Sequence, residues 1–207
     1  MNYWIEDIEH SDTVTIKLLH YHSNGDRPID TSFFNHVELE KYNQYKSKKR
    51  QLEFYYTRVL WQAFNHPDNI TYRSTGKPTL EKGFLSISHS HKAIAIAYSP
   101  TIELGIDIEP ISKKIARVKH KFMRTEERFE SLEDLTKAWC IKEAVYKLMD
   151  MDDVFFMDDI YLDTVEPNNS AHIKVEGIDV QPHFIVRKLK HDMMMAWAYI
   201  NNSKISL

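Results

Sequence analysis

Two carboxylates carry the most pointed chemistry in this chain. Asp107 and Glu109 stand two apart in Leu104-Gly105-Ile106-Asp107-Ile108-Glu109-Pro110. Ile102, Leu104, Ile106 and Ile108 alternate with Glu103, Gly105, Asp107 and Glu109. This strict period of two reads as a strand, aliphatic on one face and acidic on the other. At ~3.3 Å of rise per residue, the two alpha carbons lie roughly 6–7 Å apart. Carboxylates so close repel unless a cation sits between them or one keeps its proton. Oxygen ligands at this spacing suit a hard ion such as magnesium. Pro110 stops the ladder. An edge strand with a solvated acidic face would carry the same pattern.

Several cations could meet an anion. Lys77 sits in Gly76-Lys77-Pro78, where a flexible glycine and a rigid proline frame a lysine beside exposed N–H groups, a setting that can meet phosphate. Most such triplets are ordinary turns. Ser88, His89 and Ser90 stand at the mouth of a strand, and His89 can offer a hydrogen bond or a charge to phosphate. His89 and His91, like His20 and His22, share a strand face, but neither pair has a third metal ligand nearby. Arg50 and Arg58 lie eight apart on one side of a helix, as surface charge or as a bidentate grip on phosphate. Glu143 and Lys147 are spaced i, i+4, the favourable order for a helical ion pair worth ~0.2–0.5 kcal/mol. The alternative is a carboxylate binding a cation beside a lysine meeting an anion.

The elements that must hold these groups follow from periodicity. Thr13 to Leu19 reads as a strand, and Asn24-Gly25-Asp26 as a turn. Asp30 to Tyr45 reads as a helix, and a second helix runs from Ser47 as N-cap to about Phe64, with Leu52, Tyr55, Tyr56, Val59, Leu60 and Ala63 as its apolar stripe. Phe84 to Ser88 and Ala93 to Tyr98 read as strands, with Ala93, Ala95 and Ala97 small enough to pack against a helix. Ser99-Pro100-Thr101 would turn the chain into an antiparallel hairpin with the Asp107 strand. Thr125 is an N-cap candidate for a short helix. Leu132 to Met149 is the strongest helix, with Leu135, Ala138, Ile141, Val145 and Leu148 on its apolar face. Asp159 to Val165, His172 to Val180, His183 to Leu189 and Met193 to Ile200 read as strands. Asn168-Asn169-Ser170 and Lys190-His191-Asp192 read as turns, and Met193 to Met195 as core filler.

Composition bounds the rest. The chain has 207 residues, 43% of them hydrophobic and only five glycines and seven prolines, which suits one large or two small ordered domains. A net charge of −3 gives no global pointer to nucleic acid. Basic residues cluster locally at Lys46 to Arg50, Arg117 to Arg128 and Arg187 to His191. The single cysteine, Cys140, excludes an intrachain disulfide framework. Neither a signal pattern nor a membrane-length apolar run is visible, so a soluble cytoplasmic protein is expected.

The order of the motifs says more than any one of them. Gly76-Lys77-Pro78, Ser86-Ile87-Ser88-His89-Ser90, Gly105-Ile106-Asp107-Ile108-Glu109, Phe122 to Glu126, and Trp139-Cys140-Ile141-Lys142-Glu143-Ala144-Val145-Tyr146-Lys147 follow one another. In this order and spacing, from about Ser47 to Lys147, the chain resembles the 4'-phosphopantetheinyl transferase superfamily. The early motifs and the length resemble its larger, monomeric, surfactin-synthetase-activating type. The resemblance implies an α+β fold of two similar halves related by a pseudo-twofold axis. Residues 1–100 would carry the coenzyme A-binding loops and residues 101–207 the metal-binding strand and helix, with the active site between them. It implies transfer of the phosphopantetheine arm of coenzyme A to a serine of an apo acyl or peptidyl carrier protein, releasing 3',5'-ADP. By the family pattern Asp107, Glu109 and Glu143 hold magnesium (or manganese), and Lys147 meets the leaving phosphate. Either Glu143 or Glu126 takes the serine proton. Arg50, Lys77, Pro78, Ser88, His89, Asp107 and Lys147 contact coenzyme A. His91 stands where the family often has glycine. Two other readings share these residues: a non-catalytic coenzyme A or carrier-binding module, and a magnesium-dependent phosphohydrolase.

Overall fold

A computed structural model describes residues 3–22, 29–150, 156–162, 172–175 and 178–200. Two antiparallel sheets form its centre. The first holds β1 (Tyr3–His10), β2 (Thr15–Tyr21), β5 (Phe84–Ser90) and β6 (Ala93–Ser99), in the order β1-β2-β6-β5. The short pair β3 (Thr71–Tyr72) and β4 (Pro78–Thr79) closes the Gly76 loop. The second sheet holds β7 (Leu104–Pro110), β11 (His183–Leu189) and β12 (Met193–Tyr199), in the order β11-β12-β7. Between them in the chain, β8 (Ile160–Tyr161), β9 (His172–Val175) and β10 (Ile178–Val180) make a third small sheet. Four α-helices complete the described fold: α1 (His36–Gln44), α2 (Lys48–Gln62), α3 (Lys113–Val118) and α4 (Leu132–Met149).

Strand alternation builds a four-layer stack, α2 on the first sheet, that sheet on the second, and the second on α4. Leu19, Ile94 and Ile96 turn toward Tyr56, Val59 and Leu60 of α2. The opposite faces of β2 and β6, Ile16, Leu18, Ala93, Ala95 and Ala97, meet Leu104, Ile106, Ile108, Met193, Met195 and Trp197 of the second sheet. Met194, Ala196 and Ala198 point the other way, onto Leu135, Ala138, Ile141 and Val145 of α4. Burying each large aliphatic side chain in such layers contributes roughly 1.5–3 kcal/mol. The alanines of β6 therefore pack on a sheet and not on a helix, and the three methionines fill core on both faces of β12.

The β6–β7 hairpin expected from Ser99-Pro100-Thr101 does not form. The chain instead crosses to the second sheet, where β7 pairs with β12, Asp107 opposite Ala196. The other edge of β7 is covered by side chains. Ser86 Oγ accepts from the Ile106 N–H at 3.0 Å, and Ser88 Oγ from the Ile108 N–H at 3.2 Å. Hydroxyls thereby satisfy edge groups that would otherwise invite another strand.

Other differences have local causes. The helix expected from Asp30 begins only at His36, because Asn35 and Glu38 form a capping box. β1, absent from the strands expected above, carries a register shift between Asp7 and Glu9. The stretch from His172 to Val180 is two antiparallel strands, not one. Thr125 caps no helix. Residues 119–121 form a 3-10 turn, and the chain from 127 to 130 is irregular. The turns at Asn24-Gly25-Asp26 and Asn168-Asn169-Ser170 lie outside the described residues. No helix among the described residues is long and apolar enough to cross a membrane.

Candidate functional site

The site begins with a glycine. A Cβ on Gly105 would stand 1.9 Å from the Ala144 carbonyl oxygen and 2.7 Å from the Leu148 nitrogen. Only glycine lets the α4 backbone come this close to β7. That approach sets Glu143 and Lys147, which flank Ala144 at one and three residues, beside the carboxylate face of the strand.

Asp107 is the hub, 4% exposed. Its Oδ1 accepts from Lys147 Nζ at 2.7 Å and from Ser88 Oγ at 2.7 Å. Its Oδ2 is buried without a hydrogen-bond partner. Lys147 also donates to the Ile106 carbonyl at 3.0 Å, so it reaches across to β7 and not back along the helix to Glu143. Glu109 receives a hydrogen bond from Ser90 Oγ at 3.3 Å. Burial, then the charge of Asp107, raises the Glu109 carboxyl above its usual range. Burial, then Asp107, pushes the Glu143 carboxyl up to about 7, with Glu109 adding to the push and Lys147 opposing it. Cys140 lies fully buried behind this cluster, its thiol raised by burial and then by Asp107 and Glu109. Three carboxylates thus share one region with one lysine, and Asp107 opposes the charge of both glutamates.

The donor set suits a hard divalent cation in its chemistry: three carboxylates, one with a buried oxygen lacking any partner. Yet among the described residues no group of three or more His, Cys, Asp or Glu is arranged to hold a metal ion. Lys147 is the counter-charge on Asp107.

The first sheet and its loops supply cations around adjoining cavities. Gly76, at φ 89°, turns the Arg73–Lys77 loop, which closes with Arg73 N–H to the Lys77 carbonyl at 2.9 Å. The loop docks on the end of α4. Arg73 and Thr75 bond Asp150, the left-handed C-cap, at 2.7 and 3.0 Å. Lys77 Nζ donates to the Leu148 carbonyl at 3.1 Å and pairs with Glu103 at 2.7 Å. Cations are favourable at this helix end. Lys77, Pro78, Ser86, Tyr146 and Lys147 line a cavity of about 200 Å³. Arg50, Gly76 and His89 line a second, of about 360 Å³. His89, Lys49, Lys92, Glu109 and Lys114 line a third, of about 630 Å³.

His89 opens onto the last two cavities but is closely surrounded on its other sides. Desolvation there, followed by Lys147, Arg50, Arg58 and Lys49, depresses its imidazole to about 4. His89 is nonetheless exposed, so this depression acts on a ring that solvent still reaches. Arg50 is exposed and bonds Glu53 at 2.9 Å. Arg58 is not a surface grip. It is 4% exposed, bonds Glu38 at 2.6 Å and Tyr72 at 3.3 Å, and lies over the Phe54 ring. Position eight along a helix predicted its side but not its burial.

Glu126 is exposed and hydrogen-bonded to Thr125 at 3.0 Å. Its carboxyl is lowered by backbone and Thr125 hydrogen bonds, and the structure does not join it to the Asp107 cluster. Its neighbour Glu127 is buried instead and pairs with Lys142 at 2.9 Å. Lys142, 0% exposed, also donates to the Phe122 carbonyl at 2.6 Å and the Phe156 carbonyl at 3.2 Å. Glu127 further accepts from the Arg124 and Leu162 N–H groups. This hub ties three segments together. A lysine on the buried side of α4 was the available clue, for such a group needs a partner.

Residues 103–196 match the family model of the 4'-phosphopantetheinyl transferase superfamily. The matched region contains β7, α4 and the first four residues of β12, and with them all three candidate metal carboxylates and Lys147. The match supports phosphopantetheinyl transfer as the general activity. No curated protein matches the chain.

Proposed function

We propose that this protein transfers the 4'-phosphopantetheine arm of coenzyme A to a serine hydroxyl of an apo acyl or peptidyl carrier protein, releasing 3',5'-ADP. It would be a magnesium-dependent enzyme of the surfactin-synthetase-activating type, its halves 1–100 and 101–207 related by a pseudo-twofold axis. The observation that carries this reading is the crowding of Asp107, Glu109, Glu143 and Lys147 within the matched region, beside cavities lined by Lys77 and His89.

In this reading Lys77, Pro78, Ser88, His89 and Arg50 seat the phosphates and adenosine of coenzyme A. Asp107, Glu109 and Glu143 would hold the cation, which when bound supplies charge neutralisation at the diphosphate. The serine hydroxyl loses its proton to Glu143, the candidate base that lies within the carboxylate cluster. Glu126, exposed and bonded to Thr125 away from the cluster, is the less suited of the two candidate bases. The serine oxygen bonds to the β-phosphorus, and the bond from that phosphorus to the oxygen bridging the α-phosphate breaks. Lys147, freed from Asp107, neutralises the departing α-phosphate oxygen.

The test is a mass measurement on a panel of apo carriers incubated with protein, coenzyme A and magnesium. A mass gain of one phosphopantetheine is expected on at least one carrier. Carriers left unmodified while coenzyme A loses phosphate would replace transfer with hydrolysis. Coenzyme A bound but unchanged would leave only a binding module.

A further inference from the structure

Thr57 takes part in none of the chemistry above, yet it touches His89. It lies in α2 at 1% exposure, and its Oγ1 is 2.7 Å from the Glu53 carbonyl oxygen and 2.8 Å from His89 Nε2. A hydroxyl carries one proton, and a carbonyl oxygen can only accept. Two oxygens that close repel unless a proton lies between them, so the Thr57 proton is committed to Glu53. This back-bond to the carbonyl four residues earlier is a habit of helical threonine. The contact with His89 also needs a proton, and the only one left is on Nε2.

We infer that Thr57 is a positioning residue for ligand binding: it locks His89 as the Nε2-protonated tautomer and leaves Nδ1 as the ring nitrogen that meets the ligand. The inference rests on the reading of His89 as a coenzyme A contact. The lowered imidazole is consistent with it: desolvation first, then Lys147 of α4 and Arg50, Arg58 and Lys49 of α2, oppose a charge there, although the ring remains exposed. A phosphate oxygen can then bind at Nδ1 only with a proton between them, whichever partner brings it. Thr57 thus selects both the direction from which His89 is approached and the protonation of what approaches. A valine at 57 has nearly the same shape but offers no oxygen to Nε2. Serine keeps the oxygen.

The experiment is nitrogen NMR of the ¹⁵N-histidine-labelled protein, with His89 assigned by its loss in His89→Gln. Beside it run steady-state kinetics against coenzyme A. Wild type and Thr57→Ser should show the Nε2-protonated pattern. Thr57→Val should lose it and raise KM for coenzyme A roughly five- to tenfold, the scale of one hydrogen bond, with kcat nearly unchanged. An Nδ1-protonated His89 in the wild type overturns the inference. So does a Thr57→Val protein with both its spectrum and its KM unchanged, or one whose tautomer moves without any effect on KM. If wild type modifies no carrier, the transfer reading fails separately. The tautomer is then still read by NMR, and the Kd for coenzyme A by calorimetry takes the place of KM.

Discussion

Lys142 and Glu143 are neighbours on α4, and they belong to opposite kinds of charged cluster. Lys142 is completely enclosed, and each of its contacts is a good acceptor: Glu127 and two carbonyls. Glu127 in turn is used on both oxygens. On the Glu143 side, Asp107 of β7 has an oxygen without a partner, while Glu109 and Glu143 are both pushed toward their protonated forms. The first cluster is complete in itself. The second sets three carboxylates against one lysine. Buried charges that remain unbalanced cost stability, so a fold keeps them where function requires it.

Three experiments press on this contrast. The largest effect should come from Asp107→Asn, which removes a charge and changes little volume. Transfer should drop about a thousandfold or more, while Tm moves by no more than about 4 °C. Carrier mass and thermal unfolding measure the two sides, and wild-type turnover would take Asp107 out of the site. The mirror case is Lys142→Met, which strands Glu127 in the core. It should cost about 3–5 kcal/mol in urea unfolding, with most of that recovered in the Lys142→Met, Glu127→Leu double variant. If the double variant is as weak as the single, the pair is not the self-contained unit described.

The smallest effect is a pH dependence. The Glu143 carboxyl rises from an ordinary value of 4.5 to about 7 on folding. The folded state therefore holds this proton more tightly than the unfolded chain. That contribution is fully present below about 4.5 and is lost as pH climbs through about 7. Wild type should lose a few degrees of Tm relative to Glu143→Gln between pH 5 and pH 8, and magnesium should restore part of the loss at pH 8. Parallel curves for the two proteins would separate Glu143 from the carboxylate cluster.

Much of the second cluster was legible in the sequence. Alternation through Ile102 to Glu109 placed Asp107 and Glu109 on one face, and the 3.6 period placed Glu143 and Lys147 on another side of α4 than its apolar stripe. What these rules could not give was long-range partnership. The crossing of β7 to a second sheet depends on serine hydroxyls of β5 and on β12, nearly ninety residues away. Arg58 looked like a surface charge because its acceptor, Glu38, belongs to another helix. Glu126 and Glu127 are indistinguishable as letters. Only the reach of Lys142 from α4 decides which one is buried.

The serine-covered edge of β7 has a mechanical consequence. A backbone ladder fixes two strands in discrete register and breaks as a block. Here the strand bearing the carboxylates is tied to β5 by separate side-chain clasps, Ser86, Ser88 and Ser90. Each turns about its own Cα–Cβ bond and can release its partner without breaking a ladder, although Ser86 and Ser88 are buried. The seam between the sheets is therefore compliant at the line where the carboxylates of one meet the serines of the other. Exchange of the Ile106 and Ile108 amide hydrogens gauges that compliance directly, because those two protons are held by the clasps and by no strand.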